Sequence, residues 1–181
     1  MARKPYIGIK EIYYGEPITE EVTPSKLKTW LGTATKVTNS HDGSYSYNQD
    51  DPQTEDYINE LTGKPYYKDV TSMGNKTIAF TMGEYTYEDL VALCGGEVIK
   101  DEDSTSIGWE APTTPLLVYK AIVAKTKTGN YIVFTNAIIV GKTNMQSKNM
   151  GLGVTATAME SGVAGVSDEY RFDGDSIDLS L

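Results

Sequence analysis

Along residues 76–82 apolar and polar positions alternate strictly, with Ile78, Phe80 and Met82 on one side and Thr77, Ala79 and Thr81 on the other. A period of two over such a run predicts a half-buried strand. Tyr6–Tyr14 mixes β-branched and aromatic residues that suit a pleated surface, and Gly15-Glu16-Pro17 ends it. The strongest signal is the pair Leu116–Thr126 and Tyr131–Thr143, joined by Lys127-Thr128-Gly129-Asn130. The first of these is apolar on both sides: Leu117, Tyr119, Ala121 and Val123 oppose Leu116, Val118, Ile122 and Ala124. Such a strand must be covered twice, and a helix looks too small for the task, so a second layer or another subunit is expected. Val154–Met159 and Val166–Phe172 predict further strands, Met145–Gly151 reads as a loop, and 173–178 as a loose polar tail.

One helix stands out. Thr86 followed three residues later by Asp89 is a capping-box variant, and Tyr87, Leu90, Val91, Leu93 and Cys94 form an apolar stripe ended by Gly95-Gly96. We assign Leu90, Val91, Leu93 and Cys94 to the core face, with Cys94 as a small buried hydrophobe. Residues 25–31 fit either a short helix or an extended arm, and 32–38 alternates only weakly. The stretch 39–75 reads as a long excursion, with turn signals at Thr62-Gly63-Lys64-Pro65 and Met73-Gly74-Asn75. The expected fold is a single mainly β domain over 1–181: a β-sandwich or partly closed barrel with one flanking α-helix and a long acidic loop.

Composition narrows the function. The 181 residues carry 25 acids against 16 Lys and Arg, a formal charge of −9. That balance disfavours gripping nucleic-acid phosphates. The charge is segregated. Asp42, Asp50, Asp51, Glu55, Asp56 and Glu60 fall in 39–60 with no base, and 97–110 and 168–181 are also acidic. Residues 116–150 hold Lys120, Lys125, Lys127, Lys142 and Lys148 with no acid, so acidic loops of one copy could face a basic region of another. No apolar run is long enough to span a membrane, and Met1-Ala2-Arg3-Lys4-Pro5 does not open a secretory signal. A single Cys and a single His exclude a disulfide framework and a Cys/His zinc site.

Catalytic motifs fail on inspection. Gly141-Lys142-Thr143 has Asn136 where a phosphate-binding loop needs its first Gly, and it continues a strand. Asp173, Asp175 and Asp178 lack the glycine and closing glutamate of a calcium loop. His41 beside Asp42 has no nucleophile motif nearby, and carboxylate pairs such as Asp50-Asp51 or Glu88-Asp89 are commonplace in an acidic chain. Asn75-Lys76-Thr77 fits a glycosylation sequon without a secretory route. No enzyme, cofactor or metal is expected. The tyrosines, among them Tyr13, Tyr14, Tyr45, Tyr47, Tyr57, Tyr66, Tyr67, Tyr85 and Tyr87, suit protein contacts or a sugar-stacking surface.

At the long hairpin a family pattern emerges. Tyr119-Lys120-Ala121-Ile122, Lys127 to Phe134 and Asn136-Ala137-Ile138-Ile139-Val140-Gly141 resemble the end of the sheet in phage major tail tube proteins. The order of a strand at 76–82, a helix at 86–94, Trp109-Glu110-Ala111-Pro112, the hairpin and a strand at 154–159 extends the resemblance over 5–172. Thr135, where the pattern has proline, and the 39–75 excursion depart from it. The resemblance implies a β-sandwich subunit of hexameric rings that stack into a hollow tube conducting DNA, or the related type VI secretion tube. It further implies a virion tail location, self-association, and tape-measure and tail-terminator proteins as partners. DNA would pass unbound, with acidic groups keeping it sliding, and no membrane or small-molecule substrate would be involved. Tyr45, Tyr47, Asp50, Asp51, Tyr57, Tyr66 and Tyr67 of the excursion, with the N-terminal arm, are the expected subunit or ring contacts. The alternative is a β-sandwich carbohydrate-binding or adhesion module.

Overall fold

The computed structural model describes residues 4–146 and 148–178; the ends at 1–3 and 179–181, expected to be loose, lie outside the described residues. It is a mainly β structure of antiparallel strands with three short helices among the described residues. The first half runs β1 (Ile9–Gly15), α1 (Pro24–Thr33), β2 (Thr35–Lys36), β3 (Ser46–Gln49), β4 (Gln53–Asn59), β5 (Lys64–Ser72) and β6 (Lys76–Met82). The second runs α2 (Tyr87–Cys94), β7 (Glu97–Lys100), β8 (Ser106–Glu110), β9 (Val118–Thr126) and β10 (Tyr131–Gln146). β11 (Asn149–Ala158), β12 (Glu169–Phe172) and α3 (Gly174–Asp178) complete the chain.

Eight strands form one sheet in the order β2-β1-β9-β10-β11-β6-β3, with β12 also on β10. The first half of β10 pairs with β12 and the second half with β11, and a register shift between Phe134 and Ala137 marks the change of neighbour. Thr135 sits at that shift, fully buried. Its N–H donates to the Asp168 carbonyl at 3.2 Å and its hydroxyl to the Ser167 carbonyl at 2.7 Å. A proline there would have no N–H to give.

The sheet bends but does not close into a barrel. β3 and β10 are three strands apart, about 14 Å on a flat sheet, yet the rings of Tyr47 and Phe134 lie 6.1 Å apart. The concave side gathers Ile12 and Tyr14 of β1, Ile78, Phe80 and Met82 of β6, Ile122, Phe134, Leu152 and Val154 into one core. α2 closes part of it through Leu90 and Leu93. The capping box is present: Asp89 N–H donates to the Thr86 hydroxyl at 3.2 Å, and Thr86 N–H to the Asp89 carboxylate at 2.7 Å. Val91 and Cys94, assigned to the same face, are only half-buried.

Several expectations are corrected. Three helices, not one, occur among the described residues, and 25–31 belongs to α1, capped by Thr23 with Pro24 in its first turn. Part of the convex face of β9 and β10, around Val123, Tyr131 and Val133, is covered from within the chain, while Tyr119 and Val140 stay exposed. Leu27 of α1 and Ile177 of α3 pack with Val22, Val123, Tyr131 and Val133, so two short helices succeed where one looked too small. Asp173–Asp178, read as a loose tail, forms α3 except for its first residue. Leu116 and Leu117 are exposed ahead of β9, and Met145–Gly151 is the end of the β10–β11 hairpin rather than a loop. The acidic segment 97–110 contains the β7–β8 hairpin. The 39–75 excursion is also ordered: it holds β3 and the hairpin β4–β5.

Candidate assembly surfaces

β4 and β5 pair only with each other. All their residues are exposed except Asn59, which is half-buried at the turn. The hairpin survives as a hairpin because Tyr57 and Tyr67 face each other across the strands with ring centroids 5.6 Å apart, Lys68 reaches Asp56 at 3.2 Å, and Gly63 closes the turn at positive φ. An isolated two-stranded ribbon is marginal in water, and this one holds out Leu61 at 95% exposure and Tyr66 at 71%.

The root of the arm is firm. Asp50 N–H donates to the Asn75 carbonyl at 2.9 Å, bringing the incoming and outgoing chains together. Gly74 has φ +25, and a Cβ there would stand 2.0 Å from the Asp50 carbonyl oxygen, so only glycine fits. Just inside, β3, β6 and β12 share a polar cluster. Lys76 Nζ lies 2.9 Å from Asp168 and 3.3 Å from Glu169, while Arg171 bonds Glu169 at 2.6 Å and the Tyr47 hydroxyl at 3.0 Å. Burial alone would raise the Asp168 pKa, but the Lys76 ammonium together with hydrogen bonds from Ser167 and the Glu169 backbone outweighs it and holds the carboxyl below its ordinary value.

The residues picked from sequence therefore separate. Tyr57, Tyr66 and Tyr67 lie exposed on the arm, and Asp50 and Asp51 lie exposed at its root. Tyr45 and Tyr47 are half-buried and pack on the concave core. Burial pushes the Tyr45 phenol up to about 12. Tyr13 and Tyr14 belong to opposite faces of β1, so the tyrosines form no continuous platform.

Two further surfaces carry no motif that marks them as contact sites, although the polar face of β6 follows from its alternation. The convex side of β6 and β11, built from Thr77, Ala79, Thr81, Gly153, Thr155 and Thr157, is a half-buried face of short side chains with no acid on either strand. The end of the β10–β11 hairpin carries Met145 opposite Met150, 62% and 53% exposed, beside exposed Lys142 and Lys148. Sequence reasoning missed this end because its two strands are separated by only a short polar turn, which reads as one loop.

Among the described residues no His, Cys, Asp and Glu cluster could hold a metal ion, and no helix is long and apolar enough to cross a membrane. No protein-family model matches the chain, and no curated protein matches it significantly.

Proposed function

We propose that this chain is a structural subunit that associates with copies of itself, as a tail-tube subunit does, into rings stacked as a hollow conduit. The observation that carries the reading is the β4–β5 arm. Its exposed Tyr57, Ile58, Leu61, Tyr66, Tyr67 and Val70 have no cover in their own chain, yet its root is rigidly mounted. An ordered, tyrosine-rich, apolar projection is the form of an interface awaiting its partner. The bent eight-stranded sheet with helices on its convex side is compatible with the sandwich-type subunit that the sequence resemblance implies. Open edges at β2 and β3 would be paired in a ring.

In this reading the convex face of β6 and β11 lines the bore. It would offer passing DNA mostly short neutral side chains, with exposed Lys142 of β10 beside Gly153, while clusters of carboxylates stand on the arm, in the β7–β8 turn and in the C-terminal segment. Sliding would then rest on a wall of mostly short neutral side chains rather than on carboxylates along it. Tail-terminator and tape-measure proteins are the partners this role would require.

The test replaces 53–72 with a short Gly-Ser turn and compares both proteins by negative-stain electron microscopy at high concentration. The full chain should form rings or tubes of uniform bore, and the armless chain should remain a folded, dispersed subunit. Indistinguishable tubes from both would remove the arm from assembly. A monomeric full chain that binds oligosaccharides through Tyr57, Tyr66 and Tyr67 would favour the carbohydrate module.

A further inference from the structure

The chain carries two unpartnered projections, and they leave the sheet at opposite ends. β6 starts at Lys76, where the arm returns to the body, and finishes at Met82. Met82 pairs with Leu152, beyond which the β10–β11 hairpin continues through Thr143–Gly151 to its turn. The seven residues of β6 separate the arm's root from the base of that hairpin end by about 20 Å at ~3.3 Å per residue.

The two projections are opposite in charge and alike in apolar character. Residues 50–72 hold Asp50, Asp51, Glu55, Asp56, Glu60 and Asp69 against Lys64 and Lys68. Of these acids only Asp56 has an ion-pair partner among the described residues, namely Lys68. The other end, 140–151, holds Lys142 and Lys148 with no acid, and neither lysine has an ion-pair partner among the described residues. Leu61 is 95% exposed at the arm's turn, and Met145 and Met150 are exposed on the same hairpin end as the lysines. Methionine is adaptable enough to receive a leucine or tyrosine without a preformed pocket.

We infer that the acidic arm of one copy docks on the Lys142, Met145, Lys148 and Met150 end of a second copy, a head-to-tail contact directed along the strands. Because donor and acceptor surfaces lie at opposite ends of the sheet, each docking leaves one free surface of each kind. A heterologous contact of this sort repeats, producing stacks rather than a closed pair. The carboxylates steer and set the register, and Leu61 and the methionines, buried on docking, supply the apolar contact. This inference rests on the assembly reading above and adds to it the surface that receives the arm.

Charge exchange tests it. The double variant K142E/K148E should remain folded by circular dichroism and raise the concentration needed for assembly by about tenfold or more at low salt. The arm variant E55K/E60K should do the same, and the four substitutions together should restore assembly. Unchanged assembly of K142E/K148E, or no rescue in the combined protein, overturns the contact. In a Cys94→Ala background, L61C and M145C chains mixed under mild oxidation provide a second readout. A cross-linked pair without any tubes from the full-length chain would keep the contact and reject the tube. Ordered tubes without the cross-link would keep the tube and reject the contact, and neither product would reject both.

Discussion

Asp89 shows how much one side chain can join. One carboxylate oxygen accepts from the Thr86 backbone and closes the cap of α2, and the other accepts the Tyr14 hydroxyl of β1. Tyr14 is buried, and burial together with this bond holds its phenol well above the ordinary range. Tyr14→Phe should therefore lower stability by about 1.5–3 kcal/mol, the usual worth of a hydrogen bond to a charged group, read as a lower urea midpoint with an unchanged m-value. Glu11 is a milder case. Its bond to Lys36 at 2.7 Å holds the carboxyl below its ordinary 4.5. A depressed carboxyl stabilises the fold fully above its unfolded value and loses that contribution as pH falls through the folded one. Lys36→Met should thus cost at most about 1 kcal/mol near neutrality, the pair being partly exposed. The difference from the unmodified protein should shrink progressively as pH falls below 4.5, measured by urea denaturation from neutral pH into the acid range.

At the scale of elements, the capping box and the alternation of β6 were legible because both are local: a hydroxyl, a carboxyl and a period of two act within a few residues. The arm was legible only as its turn. With both faces in water its strands carry no apolar alternation, and pairing between them, rather than burial, defines them. α2 docks where β10 has Gly141, whose absent side chain admits the helix end. A Cβ there would stand 2.6 Å from both the Leu93 carbonyl oxygen and the Cys94 sulfur. Gly141→Ala should push α2 off the sheet and cost about 1–3 kcal/mol, seen as a lower Tm and faster hydrogen exchange in 87–94.

Over the whole molecule the charge of −9 is less telling than its placement. The acids of the arm and the lysines of the β10–β11 end are separated by the length of β6, so they do not meet within one copy. The body does not depend on the arm, since neither of the two core clusters includes a residue of β4 or β5. The armless protein should accordingly keep its Tm within about 3 °C, roughly the shift that ~1 kcal/mol of stability produces, by calorimetry in dilute solution. That result would separate loss of assembly from loss of folding.

Local chemistry in the sequence was sufficient for the mainly β character, the faces of β6, the capped helix at 87–94 and the segregation of charge. Only the tertiary structure decided which element covers which face. Coverage of β9 and β10 by α1 and α3, the meeting of Lys76 with Asp168 across 92 positions, and the placement of the two projections at opposite ends all depend on distant segments. Side-chain periodicity reports whether a face is apolar. The bend of the sheet and the path of the chain determine what lies against it.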